Sequence, residues 1–151
     1  NISPSHLASP DFTEFVLAET RRRQINPSNI TFEITEDSLI ENIEVVADVL
    51  FTLRAYGFKI SLDDFGTGYS SLSYLSHLGF DELKIDRSFI QKLNADAKTG
   101  TLIRTIINLK DTYGISIVAE GVETQEQSDL LIDYGCNVHQ GYLFSKPKRL
   151  D

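Results

Sequence analysis

The chain has no methionine and a single cysteine among its 151 residues. A translated chain normally opens with Met, and Asn1-Ile2-Ser3 is not such a start, so the sequence is expected to be an excised part of something longer. Cys136 cannot close an internal disulfide, which suits a reducing compartment. Apolar runs long enough to span a membrane are missing, and so is the pattern of a signal peptide. Positive charge is scarce: 14 Lys and Arg stand against 22 Asp and Glu, a net charge of -8. That balance argues against general affinity for DNA or RNA polymers, and it disfavours any anionic substrate unless a divalent cation intervenes. What remains, 41% hydrophobic and 24% charged residues, is enough for one domain with a real core.

One stretch organises the rest. Phe58, Ile60 and Leu62 alternate as a strand, which ends in two adjacent carboxylates, Asp63 and Asp64. The polar loop Gly66-Thr67-Gly68-Tyr69-Ser70-Ser71 follows. Two acids side by side are unfavourable unless separated, solvated or bridged by a cation. Taken alone the stretch reads equally well as a turn, with Gly66 and Gly68 supplying positive φ.

Strand and helix patterns alternate along the whole chain. A helix is expected over about 11–23, with Phe12, Phe15, Val16 and Ala18 toward a core and Ser9 or Asp11 as cap. Arg21-Arg22-Arg23 reads as its solvated end, where cations suit the helix dipole, rather than as a phosphate site. Residues 30–36 alternate as a strand carrying Glu33 at its centre. A second helix over 43–56 ends at Gly57, a short helical stretch covers about 72–78, and 81–86 is a further strand. A long helix is expected over about 100–113, carrying Leu102, Ile103, Ile106, Ile107 and Leu109 and ending at Gly114. The strand 115–120 finishes on Glu120, Thr124 is positioned to cap the next helix, and 137–143 is the last strand-like piece. Such alternation predicts an α/β fold, a parallel sheet with covering helices, laid out as one unit.

Glu33, Asp63, Asp64, Lys84, Glu120 and Gln140 recur in or at the far ends of successive strands, the face on which parallel sheets and barrels place their chemistry. Four carboxylates on one rim are costly, and Lys84 alone cannot neutralise them. Hard divalent cations can, and oxygen donors of this kind suit Mg²⁺ or Mn²⁺. A two-metal site of this sort favours phosphoester hydrolysis, with Lys84 orienting water or offsetting phosphoryl charge. Other chemistries have little support. Gly66-Thr67-Gly68 lacks the Lys-Ser/Thr of a P-loop, no Gly-x-Ser-x-Gly elbow occurs, and His6, His77 and His139 share no metal-ligand spacing.

With these residues in view the chain resembles the EAL-domain family, bacterial phosphodiesterases specific for cyclic di-GMP. The resemblance lies in six ordered strings: Asn1-Ile2-Ser3, Phe32-Glu33-Ile34-Thr35-Glu36, Asp63 through Leu72, Leu83-Lys84-Ile85-Asp86-Arg87-Ser88-Phe89, Val118 through Thr124, and Gln140-Gly141-Tyr142-Leu143. It implies a TIM-like (β/α) barrel, of which residues 1–151 would be the C-terminal portion. It further implies two Mg²⁺ or Mn²⁺ ions held by Asn1, Glu33, Asp63, Asp64 and Glu120, with Asp63 bridging, and a catalytic water oriented by Lys84. Gln140 would support the metal site, Asp86 and Glu123 would surround it, and Glu36 would anchor the loop after Asp64. Family likeness also implies a homodimer through the region Asp64–Leu78, sensory or cyclase-like domains elsewhere in the parent chain, and a bacterial cytoplasmic setting, with or without a membrane anchor.

One departure is plain. The Glu-Ala-Leu tripeptide that names the family, and whose glutamate binds metal, does not occur in this sequence. The family places it upstream of the Asn1 motif, so truncation accounts for its absence, together with that of the first barrel strands. A complete barrel needs about 250 residues. The chain alone is therefore expected to be inactive or nearly so, while its parent linearises cyclic di-GMP to pGpG. The alternatives are a degenerate module that binds cyclic di-GMP without cutting it and a purely protein-binding role.

Overall fold

The computed structural model describes residues 1–40, 43–67 and 73–149, which fall into two compact units, Asn1–Glu82 and Leu83–Asp151. The first contains α1 (Pro4–Leu7), α2 (Phe12–Arg22), β1 (Thr31–Thr35), α3 (Glu36–Ile40), α4 (Ile43–Ala55), β2 (Lys59–Phe65) and α5 (Ser73–Leu78). A short 3₁₀ turn, Pro27–Asn29, leads into β1. β3 (Glu82–Ile85) begins on the last residue of the first unit; the rest of it lies in the second, followed by α6 (Arg87–Lys92), α7 (Ala97–Tyr113), β4 (Ser116–Glu120), α8 (Gln125–Asp133) and β5 (Val138–Gln140). Within each unit neighbouring strands follow chain order, β1 beside β2 in the first and β4 beside β5 in the second, as in the repeating β/α units of a barrel.

β1 and β2 are parallel, with Glu33 opposite Ser61 and Thr35 opposite Asp63. Since side chains alternate along a strand, Glu33, Thr35, Ser61 and Asp63 share one face, and Ile34 and Leu62 share the other. Ile60, Ser61 and Leu62 are all fully buried, so β2 is covered on both faces, as parallel strands are. The polar member of that run is satisfied: Ser61 Oγ donates to Glu82 Oε1 at 2.9 Å. Leu50 and Leu53 of α4 are buried in the same unit, each worth about 1.5–3 kcal/mol of burial. In the second unit β4 and β5 pair in parallel with Glu120 opposite Gln140, and Ile85, Ile90, Ile103, Ile107 and Leu131 are buried.

Several local expectations shift. Phe15 is 65% exposed and Ala18 is also outward, because the inward stripe of α2 runs through Phe12, Val16 and Thr20 at i, i+4 spacing. Phe12 meets Phe32 edge-on at 6.3 Å. Asp11 stands at the N-cap position of α2 without making a side-chain cap bond. Glu36 begins α3 rather than ending β1. α7 starts at Ala97, earlier than the hydrophobic period suggests, because Asp96 caps it with both carboxylate oxygens. On that helix Leu102 faces out. β5 stops at Gln140, and the short helices α1, α3 and α6 carry too few residues for a period to reveal them. Gly114 ends α7 in the left-handed region at φ 66°, and Thr124 closes a full capping box with Gln127, both as the sequence suggests.

Candidate functional site

In the first unit the site is built at the end of β2. Asp64 has φ 56°, a left-handed conformation that Asp tolerates better than most residues. That turn breaks the strand alternation, so the two acids do not point to opposite faces. A carboxylate oxygen of Asp63 and one of Asp64 lie within 4.8 Å of each other, a spacing one cation can bridge. The Asp64 backbone N–H donates to Asp63 Oδ1 at 3.0 Å, which fixes the first carboxylate against its own strand end. Beyond them Thr67 donates from its N–H and its hydroxyl to the Asp64 carbonyl.

The loop is held from the side by Glu36. Its carboxylate, only 2% exposed, accepts the Gly66 N–H at 3.0 Å. Gly66 itself sits at φ 98°, where a side chain would be strained. Gly68–Leu72, the remainder of the glycine loop and much of the expected dimer segment, lie outside the described residues. Asn1 is exposed and held beside Glu33 through the backbone: Ile2 N–H donates to the Glu33 carbonyl at 2.8 Å.

In the second unit Lys84 of β3 and Glu120, the last residue of β4, form an ion pair. Lys84 Nζ lies 2.6 Å from Glu120 Oε1, with the side chains 6% and 18% exposed. Ammonium and carboxylate so far removed from water attract strongly, and each resists displacement. Gln140 stands opposite Glu120 across the β4–β5 pair and is exposed. Asp86 caps α6, accepting the Ser88 N–H at 2.9 Å, and Glu123 pairs with Arg87 at 2.8 Å. A cavity of about 160 Å³ opens here, lined by Glu120, Glu123, Gln140, Arg87 and Tyr142 among others. Arg87 and Tyr142 were not singled out from the sequence as site residues; the glycines Gly121 and Gly141 beside them were the available signal. His139 is held by Ser128 Oγ and the Cys136 carbonyl, a structural role.

Residues 1–147 match the model of the EAL domain. The chain belongs to the EAL domain family. RocR of Pseudomonas aeruginosa, a cyclic di-GMP phosphodiesterase, is 40% identical over 147 residues, covering 97% of this chain and 38% of RocR. MucR of the same organism, a bifunctional diguanylate cyclase/cyclic di-GMP phosphodiesterase, is 40% identical over 97% of this chain and 22% of its own length. The solved complex of the PaMucR phosphodiesterase with cyclic di-GMP superposes with a TM-score of 0.92 at 40% identity, covering 97% of this chain and 60% of that one. Klebsiella pneumoniae BlrP1, solved with manganese and cyclic di-GMP, gives 0.88 at 32% identity over 95% of this chain and 37% of its own. The chain spans between 20% and 38% of the length of the curated relatives it matches here. The chain therefore has an α/β fold that is part of the TIM-like architecture of an EAL domain. No helix among the described residues is long and apolar enough to cross a membrane.

Proposed function

We propose that this chain is the C-terminal portion of one EAL phosphodiesterase domain, whose complete form hydrolyses cyclic di-GMP to linear pGpG with two divalent cations. The observation that carries the reading is the ion pair of buried Lys84 with half-buried Glu120, Nζ and Oε1 2.6 Å apart, in a chain whose residues 1–147 match the EAL domain. The names of RocR and MucR and the manganese complex of BlrP1 support substrate and cation class.

The donors fit a hard cation. Glu33, Asp63, Asp64 and Glu120 offer carboxylate oxygens and Asn1 an amide oxygen, the set that Mg²⁺ or Mn²⁺ prefers. When bound, such ions polarise a phosphoryl oxygen and make water a better nucleophile near neutral pH. In the reaction, water attacks phosphorus and releases a proton to solvent, one P–O ester bond breaks, and the departing 3′ oxygen takes a proton back from solvent. Lys84 holds the attacking water and, fixed by Glu120, keeps its charge beside the developing negative oxygens. Gln140 supports the metal site through water, Glu36 holds the loop behind Asp63 and Asp64, and Asp86 and Glu123 fix the surrounding turns. The complete domain dimerises through the region of Asp64–Leu78 and works in the bacterial cytoplasm, beside sensory or cyclase-like domains of its parent.

Because Glu-Ala-Leu is absent from these 151 residues, the shell they form lacks one ligand, and the chain alone turns over little or nothing. The test is Mn²⁺ binding, followed by electron paramagnetic resonance, alongside chromatographic assay of pGpG. The chain should bind Mn²⁺ and lose that binding in Asp63→Asn, and a parent carrying Glu-Ala-Leu should release pGpG. Mn²⁺ affinity untouched by Asp63→Asn, or an intact parent that binds the dinucleotide without cutting it, would overturn the metal site or the catalysis respectively.

A further inference from the structure

Arg87, the first residue of α6, gathers more of the second unit's rim than any ligand assignment requires. Its Nη2 donates to Glu123 Oε1 at 2.8 Å. With the Gln91 amide oxygen turned toward it, Nε and Nη2 also donate to Gln91 at 2.6 and 2.9 Å. The guanidinium lies 6.0 Å from the centroid of Tyr142, close enough for a cation–π contact. Its aliphatic stem covers Gly121, where an added Cβ would stand 2.3 Å from Arg87 Cγ. Gly121, at φ 70°, directly follows Glu120.

The segment that Arg87 clasps is already tight. Val122 N–H donates to the Gln140 carbonyl and Leu143 N–H to the Val122 carbonyl, both at 3.1 Å. A Cβ at Gly141 would meet the Val122 carbonyl oxygen at 2.1 Å, so the two turns after β4 and β5 touch backbone to backbone. Each cavity carboxylate thus has its own cation, Lys84 on Glu120 and Arg87 on Glu123. The two pairs differ in kind. Lys84 is buried, whereas the Arg87 side chain is 53% exposed and its planar fork spans Glu123 and Gln91 together.

We propose that Arg87 is a positioning residue for ligand binding: it holds Glu123 as a fixed wall of the cavity. This rests on the phosphodiesterase reading and adds to it a residue that acts only through Glu123. Lysine cannot replace it, since a single ammonium cannot bond Glu123 and Gln91 in one plane while covering Gly121.

The experiment uses the 151-residue chain with Ca²⁺, under which BlrP1 was solved with bound cyclic di-GMP, and titrates cyclic di-GMP by calorimetry. Arg87→Ala should weaken binding of the dinucleotide about tenfold, the size of one charge-assisted contact, with Mn²⁺ affinity unchanged. Arg87→Lys should not restore it. In a Glu123→Ala background, Arg87→Ala should add nothing further, because the residue it positions is gone. A second measurement guards the fold: the amide spectrum of Arg87→Ala should change only around Gly121, Glu123 and Tyr142. Binding by the wild type that Arg87→Ala leaves intact, or an equal extra loss in the Glu123→Ala background, overturns the proposal alone. Failure of the wild type to bind both Mn²⁺ and the dinucleotide overturns the phosphodiesterase reading, and this proposal with it.

Discussion

Lys84 Nζ and Glu120 Oε1 stand 2.6 Å apart, the lysine buried and the glutamate half-buried. The ammonium therefore competes with any cation for that carboxylate. Replacing Lys84 with methionine should raise the affinity of the chain for Mn²⁺ several-fold. In a complete domain it should lower turnover by about 10²–10³, the usual cost of losing one preorganised donor. Resonance titration and a pGpG assay read the two effects, which should move in opposite directions.

Glu36 is the side support of the acidic loop. Glu36→Ala removes the acceptor for the Gly66 N–H and should cost about 1–3 kcal/mol, the penalty of a buried polar group left unpaired. Glu36→Gln keeps an acceptor oxygen and should be milder. Urea midpoints give the stability, and hydrogen exchange at Gly66 should quicken in the alanine variant only.

Gly141 tests the backbone contact between the turns after β4 and β5. Its substitution by alanine sets a Cβ against the Val122 carbonyl, which cannot rotate away as a side chain would. Overpacking of this kind costs about 1–3 kcal/mol or more. The melting temperature should fall, and metal affinity should fall with it if the Glu120 carboxylate is displaced.

Burial raises the thiol pKa of Cys136, whose sulfur sits 3.5 Å from the Ile117 and Val138 carbonyls. The unfolded thiol loses its proton first, near pH 8.5. The stability that this group contributes is therefore complete below that pH and is lost as pH rises through the folded value. Between pH 8 and 10 the wild type should lose more stability than Cys136→Ala. Alkylation of the native chain at pH 8 should be far slower than of the urea-unfolded chain.

Thr124 tests the cap of α8, next to the cavity residue Glu123. Thr124→Ala breaks the capping box with Gln127 and should cost about 1 kcal/mol, read as a lower melting temperature. Mn²⁺ affinity should not change.

Much of this molecule is written locally. The strand-then-helix order follows from the period-2 runs through Ile34, Ile60 and Leu62 and the period-3.6 runs through Leu50, Leu53, Ile103 and Ile107. The ends of the longer helices follow from Gly114 and Thr124, because caps are contacts within a turn or two of chain. Glu120 was legible as the last residue of β4 for the same reason, whereas β2 runs past Asp63 and Asp64 to Phe65, further than its alternation indicates. Other features depend on neighbours distant in sequence. Phe15 faces outward because what α2 packs on chooses among adjacent stripes of one helix. Glu36 became a loop support only when the fold brought it to Gly66. The left-handed turn at Asp64, which sets its carboxylate beside that of Asp63, is a backbone state that no side-chain pattern encodes. Lys84 and Glu120 met, and Arg87 closed over Gly121, by the register of the second unit's strands and helix. Sequence periodicity specifies which way each residue faces along its own element, whereas a contact between elements is decided by how their surfaces fit.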